Sequence, residues 1–329
     1  MWQYIFRRTL MMIPTLFVIS IISFVIIQLP PGDYLTTMIM NLKAQNVEVA
    51  QDQIDRMRAT YGFDQPVVVQ YFKWISRFIQ GDMGFSLSFQ RPVRNLIGER
   101  VFLTMAITFL SLLFTWSLAL PLGVYSATHK YKFSDYFLTL VGFTGMAIPD
   151  FFLALIVMYL LYMTFGWSPG GLFSPSMVNA PWSLEKLFDL LKHLLVPVVI
   201  LGIGGAAATI RVMRSNMIDE LNAPYVTAAR GRGLKERTVI WRYPVKVALN
   251  PFLSTIGWML PALVAGSEIV AIVLNLPTTG PLLLGALMAQ DMYLASGILM
   301  ILSVLTVIGT LISDVVLAYV DPRIRYENK

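Results

Sequence analysis

LMMIPTLFVISIISFVIIQL, residues 10–29, runs without a single charged side chain. A helix needs roughly 20 apolar residues to cross the hydrocarbon of a bilayer, so this stretch alone places the chain in a membrane. Arg7 and Arg8 precede it, and Pro30 and Pro31 follow it. A cleaved signal peptide has a shorter apolar run and ends in a small-x-small site. The segment therefore reads as an uncleaved first transmembrane helix.

The rest of the chain agrees. Of its 329 residues 56% are hydrophobic and only 13% charged, and the mean hydropathy is +0.66. A soluble domain carries about a quarter charged residues, so too little polar surface exists to cover a water-facing core. Cysteine is absent, which excludes disulfides, thiolate metal sites and cysteine nucleophiles. The net charge of +6 reports topology in such a protein and gives no reason to expect a nucleic-acid partner.

Six hydrophobic spans emerge, at Leu10–Leu29, Val101–Ser126, Tyr136–Phe165, Leu194–Met213, Pro251–Leu274 and Leu294–Val320. Each must be helical, because lipid offers backbone polar groups no partner. The expected fold is thus an all-α integral membrane protein with six transmembrane helices. Proline and glycine interrupt the spans at Pro121, Gly142, Gly145, Pro149, Gly202, Gly204 and Pro261, as close packing and bending allow.

Basic residues orient the bundle. With the N-terminus inside, the cytoplasmic segments hold Arg7 and Arg8, Lys130 and Lys132, a cluster from Arg211 to Lys246, and Arg323, Arg325 and Lys329. Most other basic residues lie between Pro31 and Arg100, a segment long enough to translocate regardless of charge. The organisation is then an N-terminal transmembrane helix (1–30), an external segment (31–100), a five-helix core (101–320) with a cytoplasmic loop (214–246), and a cytoplasmic tail (321–329). Both ends face the cytoplasm.

The external segment reads as a small folded cap. Val49–Tyr61 looks amphipathic, and Val67–Ile79 carries Tyr71, Phe72, Trp74, Ile75 and Phe78 at helical spacing. Gly81-Asp82 is a turn signal. The aromatics either contact a partner or pack against the bilayer or the spans, and packing is the expected role.

No catalytic signature is present. The two histidines, His129 and His193, sit outside any HExxH pattern, and no GK[ST] phosphate loop or Gly-x-Ser-x-Gly elbow occurs. The chain is not expected to be an enzyme, nor to hold a metal or cofactor. Charges within the spans are few and count as functional candidates because they are costly there. Asp150 and Glu268 either line a pathway or are hydrogen-bonded within the bundle, and Asp314 is placed to reach the interface or pair with Arg211 or Arg323.

The most informative stretch is the loop after the fourth span. Pro224 suits a first helical turn, Tyr225, Ala228 and Ala229 stand at i, i+3 and i+4, and Gly233 suits a helix terminus. A short helix with a small-residue face between arginines can dock on another surface. Basic charge alone would instead suggest contact with anionic headgroups.

Here the chain resembles a known family. Tyr225-Val226-Thr227-Ala228-Ala229-Arg230-Gly231-Arg232-Gly233-Leu234 is similar to the Glu-Ala-Ala-x-x-x-Gly loop of ABC importer permeases, in the form found in the oligopeptide/dipeptide branch. Arg7-Arg8, Tyr61-Gly62-Phe63-Asp64-Gln65-Pro66, Gly81-Asp82-Met83-Gly84-Phe85-Ser86, Ala147-Ile148-Pro149 and Asp321-Pro322-Arg323-Ile324 extend the resemblance over nearly the whole chain. It implies a type I ABC importer-like bundle and a second homologous permease. It also implies two cytoplasmic ATP-binding subunits that carry the ATP and magnesium, and an external solute-binding protein. The segment Tyr225, Thr227, Ala228, Ala229, Arg230, Gly233 and Leu234 would be the coupling helix that docks on an ATPase, and a bulky charged residue at Gly233 or Ala229 is expected to abolish uptake. Thr227 departs from the glutamate of the general motif, and Val270-Ala271-Ile272 with Pro277-Thr278-Thr279-Gly280 departs from the peptide branch. Small peptides are the expected substrate, with oligosaccharides or opines as the alternative. An ion-coupled secondary transporter is the rival class.

Overall fold

The computed structural model describes residues 2–28, 39, 65–252 and 268–320. Its contacts divide into two units. Of the described residues the first holds 2–28, 39, 65–104 and 277–318, the second 105–252, 268–276 and 319–320.

In the first unit, α1 (Trp2–Gln28) contains the opening apolar run. Helix α2 (Val67–Ile79) has the bounds the aromatic spacing predicts. Its Tyr71 and Trp74, one turn apart, pack with Phe24 of α1 at ring separations of 5.4 and 5.8 Å, each such contact contributing about 0.5–1.5 kcal/mol. The Tyr71 hydroxyl shares a 2.8 Å hydrogen bond with Ser20. The cap helix is thus fastened to the first span by its aromatics, while Phe72, on the other face, is exposed. The amphipathic stretch Val49–Tyr61 lies outside the described residues.

Helix α2 ends in a turn that needs glycine. Gly81 takes φ +84°, and the Asp82 N–H reaches back to the Arg77 carbonyl at 3.0 Å, satisfying a helix-end acceptor. A two-residue antiparallel hairpin follows, β1 (Phe85–Ser86) with β2 (Arg91–Pro92), Ser86 opposite Arg91. Next come α3 (Val93–Thr128), a 36-residue helix of which 93–104 belong to this unit, and, later in the chain, α11 (Thr279–Met288) and α12 (Met292–Val320). Val93, Leu96 and Ile97 form one core with Leu282, Ala286, Leu294, Ala295 and Ile298.

In the second unit the third expected span is not one helix. It is α4 (Phe133–Ala147) and α5 (Asp150–Phe165), bent by 96° at the break. Proline disfavours helical backbone in the residue before it, and Ile148 is extended at φ −91°, ψ 119°. The halves have 15 and 16 residues, each short of the roughly 20 that a crossing needs. Helix α6 (Leu184–Leu221) has 38 residues, about 57 Å at 1.5 Å per residue. It outruns the hydrocarbon and carries the chain into the basic segment. There follow α7 (Pro224–Gly231), α8 (Glu236–Arg242), α9 (Pro244–Ala248) and α10 (Glu268–Val273).

Among the described residues four helices are long and apolar enough to cross a membrane, or five with the bent pair counted as one. Most of the fifth expected span, Pro251–Leu274, lies outside the described residues. The described α12 contains the sixth span and α11, a short apolar helix before it, was not legible as a separate element.

Helices α3 and α6 touch at Gly123. A β-carbon there would lie 2.6 Å from Met213 Cβ and 3.0 Å from the Ile210 carbonyl oxygen, both fixed to backbone. Gly123→Ala is therefore expected to push the helices apart at a cost of about 1–3 kcal/mol. The check is thermal unfolding of the purified protein in detergent, where the variant should melt earlier.

Candidate docking helix and embedded charges

Helix α6 stops at Leu221 with Asn222 as its C-cap. The Ala223 N–H returns to the Glu220 carbonyl at 3.1 Å, and Ala223 turns extended at φ −67°, ψ 144°. Pro224 then opens α7 where a missing N–H costs nothing. Val226 and Ala229, one turn apart, point inward and close with Val239 of α8 into a small core backed by Ala223 and Tyr243. The expectation that Ala229 shares an outward face with Tyr225 and Ala228 is corrected. Ala229 is 4% exposed, because with Val226 it forms an i, i+3 pair that packs on Val239 of α8. Tyr225, Thr227, Ala228, Arg230, Gly231, Arg232, Gly233 and Leu234 are all exposed.

The corner is braced at both ends. The Tyr225 hydroxyl donates to the Glu220 carboxylate, and burial, then that acceptor, pushes its pKa up to about 12, so it stays a donor at any physiological pH. Arg230 meets Glu236 through Nη2 at 2.7 Å and Nε at 3.1 Å, and the guanidinium holds the Glu236 carboxyl below its ordinary range. Both side chains are about half exposed, so the pair adds little stability and chiefly sets geometry. Gly233 lies between them at φ +73°, a backbone shape that favours glycine.

Asp150 is the first residue of α5, at the break. Its carboxylate lies over Gly204 of α6, where a β-carbon would come within 2.2 Å of Oδ1. Glu268 opens α10 and is exposed. Asp314 pairs with Arg8 at 2.6 Å, correcting the expected partners. Arg211 instead stacks on Phe143 at 5.1 Å and points Nη2 at Met146 Sδ, and Arg323 is outside the described residues. No group of three or more His, Cys, Asp or Glu side chains suited to a metal occurs among the described residues.

Two carboxylates escaped the sequence reading. Asp291 is 1% exposed. It accepts from Ser86 Oγ at 2.7 Å, Ser88 Oγ at 2.6 Å, Ser88 N at 3.0 Å and Leu294 N at 3.2 Å, so it caps α12 and ties the hairpin to it. Asp135, 2% exposed, accepts from Arg214 Nε at 2.8 Å and Nη2 at 2.7 Å.

Comparison with known proteins decides what this architecture belongs to. Residues 119–326 match the family model "Binding-protein-dependent transport system inner membrane component", and residues 1–108 match that of the N-terminal part of such membrane components. The chain belongs to this family. The oligopeptide transport system permease protein AppB of Bacillus subtilis is 36% identical over 99% of this chain and 100% of its own length. A putative peptide permease of Brucella ovis is 32% identical over 99% of each chain, and the glutathione transport system permease protein GsiC of Escherichia coli 27% identical over 99% and 100%. This binding-protein-dependent permease is therefore an all-α, multi-pass inner-membrane protein of ABC transport. The ion-coupled rival is set aside by that membership. The alternative of oligosaccharides draws no support from relatives named for peptides and glutathione.

Proposed function

We propose that this permease is one membrane subunit of an ATP-driven importer of small peptides. The names of its relatives support the substrate class. A second homologous permease completes the pathway, two cytoplasmic ATPases hold the ATP and magnesium, and an external binding protein delivers the peptide. The basic loop 214–246 faces the cytoplasm, in keeping with the positive-inside rule. The Arg8–Asp314 pair draws the start of α1 and the end of α12 to one side, which suits two cytoplasmic termini.

The observation that carries the reading is α7 itself. It is a short helix held by Val226, Ala229 and Val239 that presents Tyr225, Ala228 and Gly231 outward, with exposed Arg232 and Leu234 just past its end. Small side chains at 228 and 231 leave room for another backbone, and the rim is basic, as in helix-in-groove docking. ATP binding that favours one arrangement of the ATPases would then shift the permeases between inward- and outward-facing states. The pathway roles of Asp150 and Glu268 belong to the same proposal. Asp150 is the better placed, at the break of the third span.

The chain has no cysteine, so Ala228→Cys introduces a unique thiol. Paired with single cysteines along the groove of the ATPase, it should form a disulfide in intact membranes. Cross-linking only to lipid-reactive probes, and never to the ATPase, would refute docking.

A further inference from the structure

Three helices converge on Asp135. Besides the two-point contact with Arg214 of α6, its carboxylate accepts the Ser126 hydroxyl from the last turn of α3 and the Tyr131 N–H, at 3.0 Å, from the turn before α4. Packing is close on the α3 side of this point, while a cavity lined by Leu138, Gly142, Ile210 and Arg214 opens between α4 and α6. Gly123 stands directly against Met213, and Val124 and Ala127 share a core with Met213, Met217, and Val245 and Ala248 of α9. The last turn of α3, the start of α4 and α6 at Arg214 are therefore joined, and α9, which follows the loop, packs on the adjoining core.

Two packed routes lead from that point to α7. One is α6 itself, whose last two turns run from Arg214 to Leu221. The other runs through α9 and the core formed by Val226, Ala229 and Val239 with Tyr243. In the opposite direction, α4 runs from Asp135 to Ala147 and meets the 96° break. Helix α4 is thus held near one end and meets the break at the other.

An apolar contact would fill this place at less desolvation cost than a buried ion pair. What a two-point guanidinium–carboxylate contact adds is fixed registry between α4 and α6. We propose that the Asp135–Arg214 pair is a positioning latch that carries displacement of α7 into α4 and so flexes the third span at Ile148–Pro149. This rests on the reading of α7 as the docking helix.

The test uses the whole reconstituted transporter, with spin labels on Leu140→Cys of α4 and Tyr159→Cys of α5, both exposed, on either side of the break. Trapping the ATPases with ATP and vanadate should change the inter-label distance by several Å. In Asp135→Asn that change should vanish while ATP hydrolysis stays within about twofold of the parent, as for loss of a coupling element and not of the fold. Asp135→Glu should recover part of it. If Asp135→Asn does not assemble, Arg214→Lys, which keeps the charge but loses the two-point contact, is read in the same way. An unchanged response in the variant that assembles, or no distance change in the parent, overturns the latch. Failure of the docking reading shows separately, as absence of the Ala228→Cys cross-link in a chain that is otherwise unaltered.

Discussion

Ala228→Glu should abolish uptake while the permease still accumulates in the membrane. Ala228 is exposed on α7, away from the core made by Val226, Ala229 and Val239, so a glutamate there disturbs nothing inside the subunit. In a docked complex the carboxylate would be taken out of water without a partner. That costs about 3–5 kcal/mol, or roughly a hundredfold or more in affinity for the ATPase. Pull-down of the ATPase should fail in parallel with transport. Ala229→Glu is different. It would force a charge into the inner core of the loop, so its loss of uptake should come with proteolytic sensitivity of the 223–243 segment. Comparing the two separates a docking surface from its foundation.

Asp291→Ala should sharply lower the amount of folded permease. The substitution leaves two serine hydroxyls, the Ser88 N–H and the Leu294 N–H without their acceptor. Ser88 is exposed and can turn to water, but the Ser86 hydroxyl and the Leu294 N–H, the capped donor, are buried, and buried groups that lose a charged partner cost about 1–3 kcal/mol each. A total of about 2–6 kcal/mol is a large part of the stability of a typical domain. Asp291→Asn should fall between. Its carbonyl can take the place of Oδ2, where the serines bond, but its NH₂ then faces the Leu294 N–H. Immunoblots of membranes, together with thermal unfolding in detergent, give the order Asp, Asn, Ala. Equal stability of all three would contradict the assigned contacts.

Local signals were legible and distant ones were not. The charge-free run at residues 10–29 announces α1, and the aromatic spacing of Val67–Ile79 gives α2 to the residue. Gly81 marks its turn because only the backbone shape matters there. Pro149 was visible as an interruption, but a 96° bend depends on what the two halves pack against. The direction of Ala229 turned on Val239, which reaches it from the next helix. Asp135 and Arg214 stand 79 residues apart, and Ser86 and Asp291 205 apart. Nothing in the periodicity of either element names its partner. Each carboxylate had only the mild signal of an acidic residue where a membrane helix begins.

The most direct measurement is purification of the permease from detergent-solubilised membranes, with ATPase activity assayed on what accompanies it. Two ATP-binding subunits and a second permease should be recovered, with hydrolysis stimulated when the external binding protein is added. Recovery of this chain alone, able to accumulate solute in liposomes on an ion gradient without ATP, would contradict its role as an importer subunit.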